Sequence, residues 1–389
     1  MKILVLNCYS RNSLAVINGL DPQYEIIGGV ARKEKYLLFK PDSFFKSRRL
    51  KTIIRYTDPT KDPEGFKNDI IRACERYNLD AIIPTGTTTT NYLSLLKEEI
   101  NKQHTNTTLL VEHYSTLSRL ADKWHTYKVC LEANVPAPKT ILFNPDEQTL
   151  SLLDSFKFPL IIKPRISYAA KGVRFFNSKE ELVNHLKNFG EEYNANDSSF
   201  IVQEFIEGEL RDVTSCSKGG SVISMLSQQR LVSLYDFGGG GIINKTTYEP
   251  IPMKYAEDII KHIKWNGVML FDFIKNREGE YYLLECNPKI WGTTQLTIEA
   301  GFNVVQQLID VFVLNKEIKR SENYEIDLLY KWFFPECVYH WFHNPRTLSR
   351  IRKRVINTLR TYNAKRSINN LNAKNLLHLM GIIMDKGEL

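Results

Sequence analysis

The chain has 389 residues, 43% of them apolar, which is enough for more than one buried core and, by length, for two or three domains. No uninterrupted apolar stretch reaches the roughly 18 residues of a spanning helix, and the opening Met1-Lys2-Ile3-Leu4-Val5-Leu6 reads as a strand without a charged leader. The formal charge is +8, but 14 basic against 7 acidic residues from Lys316 onward give +7, so a basic C-terminal extension describes the chain better than a global nucleic-acid binder.

In chain order, Ile3–Leu6 reads as a strand, Ser13–Leu20 as a helix, Ile26–Val30 as a strand, Phe66–Tyr77 as an amphipathic helix and Ala81–Pro84 as a short strand. This alternation predicts a parallel α/β sheet. The turn after the first strand is Asn7-Cys8-Tyr9-Ser10-Arg11-Asn12, not a GxGxxG, which argues against a nicotinamide cofactor there. A helix near Asp122–Ala133 stops at Val135-Pro136-Ala137-Pro138. From about Pro159 the texture becomes antiparallel strands with tight turns at Gly219-Gly220 and Asn276-Arg277-Glu278-Gly279. Helical spacing returns at Gln295–Leu314, and the tail beyond Lys316 is helical in propensity, basic and aromatic. The six cysteines (Cys8, Cys74, Cys130, Cys216, Cys286, Cys337) contain no CxxC and read as free thiols of a reducing compartment, so a cytoplasmic protein is expected.

The hairpin Val268–Ile274 and Glu280–Cys286 carries the strongest chemical signal. Side chains alternate faces along a strand. A two-residue loop at Glu278-Gly279 sets Asp272 opposite Glu285 and keeps Asn287 on the same face. Carboxylates roughly 5 Å apart repel unless a cation lies between them. Two carboxylates and an amide suit Mg²⁺, which completes its shell with water and phosphate oxygens. Lys289 follows near that face. By itself the pattern also describes an ordinary polar hairpin. Upstream, Phe158–Pro164 is an apolar strand that ends in Lys163, where a solvent-facing lysine is the plain alternative. Arg165–Val173 follows, a loop with Lys171 and one glycine, and then Phe200–Glu209 runs from strand to turn. The run Gly238-Gly239-Gly240-Gly241 offers either a flexible loop or a backbone able to approach a ligand closely. Thr85–Thr90 offers either an anion-binding helix start or a hydroxyl-rich cap. No histidine spacing suggests zinc.

Strand-Lys163, a loop, Gln203-Glu204-Phe205-Ile206-Glu207-Gly208-Glu209 and a hairpin ending Leu284-Glu285-Cys286-Asn287-Pro288-Lys289 together resemble the ATP-grasp superfamily. The branch most resembled is that of the carboxylate–amine ligases, related to carbamoyl phosphate synthetase and biotin carboxylase. The resemblance covers about residues 115–315. It implies a parallel-sheet, Rossmann-like domain at 1–114, an ATP-grasp domain at 115–315 with a lid at about 140–200, and a helical basic extension at 316–389. It implies nucleotide contacts from Lys123, Lys163, Lys171, the backbone of Gln203, Glu204, Phe205 and Ile206, and the acid Glu209. Asp272, Glu285 and Asn287 match the ligands of two Mg²⁺ ions, with Mn²⁺ as a substitute, and Lys245 matches a basic position near the γ-phosphate. Two departures stand out. The lid loop has one glycine where many relatives have several, and Lys289 stands where many carry arginine, so substrate orientation needs another cation, with Arg230 and Arg165 as candidates.

The implied chemistry is phosphoryl transfer from ATP to a carboxylate, followed by attack of an amine on the acyl phosphate. Bicarbonate activation of the carboxylase or carbamoyl phosphate type, and a non-catalytic nucleotide-binding scaffold, are the alternatives. Expected partners are a small carboxylate and an amine. The basic aromatic tail raises an anionic polymer or membrane surface as a further partner, against a plain helical cap, and a homo-oligomer is expected.

Overall fold

Five parallel strands build the first layer: β1 (Lys2–Leu6), β2 (Glu25–Ala31), β3 (Leu50–Tyr56), β4 (Ala81–Pro84) and β5 (Thr108–Leu109), in the order β3-β2-β1-β4-β5. The computed structural model describes residues 1–32, 46–104, 106–167, 172–189, 199–235, 238–343, 347–371, 375 and 378–380. β1 is apolar on both faces because both faces are covered. Ile3 and Val5 join Trp291, Val305 and Leu328, whereas Leu4 and Leu6 join Phe66 and Ile70 of the helix Pro63–Tyr77. Residues from the far end of the chain thus close one core with the first sheet. After β1, Ser10 caps the helix Arg11–Gly19 in a reciprocal box with Ser13.

A second sheet is antiparallel: β6 (Thr140–Phe143), β7 (Leu160–Pro164), β8 (Arg174–Phe176) and β9 (Phe200–Glu204), in the order β6-β9-β7-β8. The third sheet holds β10 (Glu209–Lys218), β11 (Ser221–Tyr235), β12 (Gly238–Thr247), β13 (Gly267–Lys275), β14 (Tyr281–Asn287), β15 (Leu328–Lys331) and β16 (Arg366–Asn369). Its order is β14-β13-β10-β11-β12-β15-β16. The helix Pro250–Ile263 packs Ala256, Ile259 and Ile260 with Phe271 and Phe273 beneath it.

The critical hairpin closes differently from the sequence expectation. Asn276 N–H donates to the carbonyl of Glu280, and Gly279 takes φ +86°, so three residues form the loop rather than two. That odd loop pairs Phe273 with Leu283 and would set Asp272 opposite Leu284. A bulge between Asp272 and Phe273 restores the parity, and Asp272 faces Glu285 after all.

The tail is helical at Val338–Phe342 and Leu348–Leu359, as its propensity predicts. It also supplies two strands. Leu328 and Leu329 are buried as β15 pairs with β12, and β16 extends the same edge.

Candidate active site

Five neighbouring strands carry a row of polar side chains on one face. Register places Glu285 opposite Asp272, Asp272 opposite Asp212, Asp212 opposite Gln228 and Gln228 opposite Thr246. Two residues on, Arg230 pairs with Asn244. Asp212 is 1% exposed and Asp272 7%. Such burial demands partners, and the row supplies them. Arg230 donates to Asp212 at 2.6 Å and also to Asp272. Gln228 donates to Asp212 at 3.0 Å and to the Thr293 hydroxyl at 2.7 Å. The Asn287 amide lies 2.9 Å from Asp272 and 3.3 Å from Glu285.

Two lysines meet this acidic end from outside the third sheet. Lys163 leaves β7 buried, with its Nζ 2.8 Å from the Gln203 side-chain oxygen on β9. Gln203 is itself fixed by Thr140 at 2.8 Å. Lys123 opens the helix Lys123–Glu132, reaches Glu285 at 3.6 Å and donates to the Ser167 carbonyl at 2.9 Å. Asp122 caps that helix and holds Arg165 at 2.6 Å. Arg165, a candidate substrate cation in the sequence, therefore clamps the start of the Lys123 helix.

The charges are tightly coupled. Burial opposes ionisation of Glu285, but Lys123, the hydrogen bond with Asp272 and Lys163 outweigh it and hold the carboxyl at about 2. Asp272 is pushed well above the usual carboxylate range by burial, and Asp212 and Glu285 add to this against the pull of Arg230. Lys163 falls to about 8, through burial and then Lys123. One acid is thus ionised while its neighbour is crowded toward neutrality, which is the condition that a cation between them relieves. Among the described residues no group of three or more His, Cys, Asp or Glu side chains is arranged to hold a metal. The donor set is instead two carboxylates and an amide. Turning the Asn287 amide presents its oxygen, and those three hard donors fit Mg²⁺, which takes its remaining oxygens from phosphate and water.

Beside the cluster lies a cavity of ≈ 200 Å³ lined by Thr87, Thr88, Lys123, Glu285, Asn287 and Lys289, among others. Lys289 donates to the Thr87 hydroxyl at the first residue of the helix Thr87–Leu95. The Thr89 and Thr90 hydroxyls donate back to the Gly86 carbonyl, Thr89 also accepts the Gly86 N–H, and Thr87, Thr88 and Thr90 line the cavity.

Two sequence candidates lie on the other face of their strands. Lys245 stands between Asn244 and Thr246, hence on the opposite face of β12 from the acidic row, where it pairs with Asp327 at 3.0 Å. Glu209 likewise alternates away from Asp212 and accepts from Arg211 at 2.6 Å. The Glu204 carboxylate accepts the backbone N–H of Lys157, Phe205 is exposed and meets Phe175 edge-on at 5.7 Å, and Ile206 is half-buried. Lys171 lies outside the described residues. Cys286 is buried on the reverse face, as its parity requires. The sequence reading missed Asp212, Gln228 and Asn244. Polar residues fill both faces of these strands, as in Glu209–Lys218 and the run Ser227–Arg230, so no alternation marked the three.

A family model for the ATP-grasp domain matches residues 120–293. The chain is 26% identical over 283 residues to D-aspartate ligase of Enterococcus faecium, which covers 66% of this chain and 65% of that protein. It is 30% identical over 193 residues to D-alanine–D-alanine ligase of Carboxydothermus hydrogenoformans, covering 43% and 58%. The chain thus spans somewhat less than two thirds of the length of these relatives. In fold it is similar to biotin carboxylase of Campylobacter jejuni, with a TM-score of 0.66 at 14% identity over 84% of this chain and 74% of that one. Residues 120–293 thus match an ATP-grasp domain, and the relatives matched by sequence are ligases that join a carboxylate to an amine.

Proposed function

We propose that the chain is an ATP-dependent carboxylate–amine ligase that forms an amide or peptide bond through an acyl phosphate. The observation that carries this reading is the acidic row on the third sheet with Lys123 and Lys163 converging on it. Lys163, Lys123 and Arg230 are fixed cations where negative charge accumulates as a phosphoryl group moves. Asp272, Glu285 and Asn287 would hold Mg²⁺, two ions in all, which neutralises phosphate charge when bound. Gln203 holds the Lys163 ammonium in place, and Asp122 with Arg165 holds the Lys123 helix start. A substrate carboxylate oxygen attacks the γ-phosphorus, the bond to the ADP oxygen breaks, and an acyl phosphate results. The amine then attacks the acyl carbon, phosphate departs, and the amine's proton passes to solvent. The cavity beside Lys289 and Thr87 keeps the substrate close to Glu285 and away from bulk water, which would hydrolyse the acyl phosphate.

The six buried free thiols suit a reducing, cytoplasmic setting, and no helix of the described residues is long and apolar enough to cross a membrane. The relatives named for aspartate and alanine place amino acids among the first substrates to try. Adding hydroxylamine as the amine traps an acyl phosphate as a hydroxamate, read as its coloured ferric complex. ADP and hydroxamate that both require an added acid support the ligase. ADP release driven by bicarbonate alone would favour the carboxylase type, and tight ATP binding without ADP from any acid would favour a scaffold.

The tail supports a second binding reading. In the helix Leu348–Leu359 the buried residues are polar, Arg354 and Thr358, while Leu348, Ile356 and Leu359 point outward at 84%, 55% and 56% exposure beside exposed Arg352 and Lys353. The helix contains no acid. Aliphatic and cationic groups on one outward face complement an anionic bilayer. Sedimentation with phosphatidylglycerol vesicles, lost in Leu348→Ser/Ile356→Ser and absent with phosphatidylcholine, is the expected result. Retention by an anionic polymer that ignores the serine changes would overturn it.

A further inference from the structure

The turn after β1, which lacks a dinucleotide-binding glycine pattern, delivers Arg11 to the acidic row's far end. Its Nη1 donates to the Gly241 carbonyl at 3.0 Å, while Arg230 Nη1 donates to the Gly239 carbonyl at 2.9 Å. Carbonyls two residues apart on one strand point the same way, about 6–7 Å apart. Two guanidiniums therefore stand side by side along the glycine strand, and Arg230 touches Asp272.

Glycines make room for Arg11. A Cβ on Gly240 would lie 2.7 Å from its Nη2, and one on Gly292 would lie 2.8 Å from both its Cζ and its Nε. Arg11 is half-buried, and Gly240 beside its Nη2 is exposed. Its Cζ lies 5.1 Å from the centre of the Trp332 ring. Among the described residues the bond to Gly241 is its single hydrogen bond, and no carboxylate comes within ion-pair distance. A guanidinium has five N–H donors, and burying it without partners is costly. Glu336 is the acid that acts most on Arg11, yet it is 2% exposed and its Oε2 has no hydrogen-bond partner. Burial pulls the Arg11 pKa down, Glu336 opposes this and Arg230 adds to it.

We propose that Arg11 is a substrate-binding residue whose free donor edge takes a second substrate carboxylate, one that is not phosphorylated, while Arg230 marks the end where activation occurs. This rests on the ligase reading and narrows it to an acid or an amine that carries an additional carboxylate. A planar fork suits such a group better than a point charge.

Calorimetry with a non-hydrolysable ATP analogue and Mg²⁺ tests the site without turnover. Aspartate, glutamate and succinate are compared with alanine and acetate for the acid, and alanine with ethylamine for the amine. The wild type is expected to bind the carboxylate-rich member of one series at least tenfold more tightly, and Arg11→Gln to erase that preference while the analogue binds as before. Which series shows the preference assigns the carboxylate to acid or amine. Gly240→Ala, which keeps the arginine but crowds its Nη2, is expected to weaken the same ligands. Absence of preference in the wild type, or its persistence in Arg11→Gln, overturns the proposal. Failure of ADP release with every acid would count against the ligase reading and leaves these binding outcomes to decide Arg11 on their own.

Discussion

Lys163 gives a quantitative test. Its ammonium is buried beside Lys123, and its pKa falls from 10.5 to about 8. A drop of that size corresponds to about 3 kcal/mol of stability forfeited below pH 8. The sign follows from proton counting. Between pH 8 and 10.5 the unfolded chain binds more protons at this site than the folded one, so stability rises with pH across that window and the deficit is constant below it. Lys163→Met removes the deficit but orphans the Gln203 oxygen, 2.8 Å away, at about 1–3 kcal/mol. The nucleotide-free variant should therefore be as stable as the wild type at pH 7, or up to about 2 kcal/mol more so, although it loses a phosphate contact.

Nucleotide binding reverses the shift, because phosphate favours the ammonium. At pH 8 about half of the lysine is neutral, at pH 7 about a tenth. Calorimetry of an ATP analogue in two buffers of different ionisation enthalpy should then show uptake of about 0.5 proton per nucleotide at pH 8 and about 0.1 at pH 7. Lys163→Met should abolish the difference. Equal uptake at both values, or uptake that survives in Lys163→Met, would refute the placement of Lys163 at the phosphates.

Lys245→Ala should leave kcat/KM within about twofold, since the half-buried side chain pairs with Asp327 on the face of β12 away from the acidic row. A loss beyond tenfold in steady-state ADP release would restore it to the site. Arg165→Ala frees Asp122 and loosens the helix start that presents Lys123, so KM for ATP should rise severalfold with a smaller change in kcat. Loss of kcat alone would contradict that positioning role. Phe271→Ala, at 0% exposure beneath the row, should cost about 3–5 kcal/mol in urea unfolding. A cost under 1 kcal/mol would mean that the sheet's reverse face is not the packed support described.

The sequence made the acidic pair legible because parity survives along short strands, yet the route to it was misread. The loop is odd, and only a bulge beside Asp272 restores the pairing. Bulges leave no clear mark in one sequence. Lys245 was misplaced for a related reason. Its face depends on the β11–β12 register, set by long-range pairing across a strand that shifts three times between Arg230 and Tyr235. The helical tail was visible at Leu348–Leu359, but Leu328–Lys331 is too short to announce itself as a strand before an existing edge recruits it. Arg11 sat in a turn quoted only for the glycines it lacked. Its meaning comes from Gly240 and Gly292, more than 200 residues away, and from Trp332.

Glu285 is opposite Asp272, within reach of Lys123 and bonded to Asn287, so it joins every part of the proposed phosphoryl-transfer site. Glu285→Gln keeps its shape and removes its charge. Acid-dependent ADP release and hydroxamate formation by this variant, with circular dichroism unchanged, test the central claim most directly. The expected result is a loss of at least about a thousandfold, roughly 4 kcal/mol of transition-state stabilisation. Turnover surviving within about tenfold, roughly 1.4 kcal/mol, would contradict it.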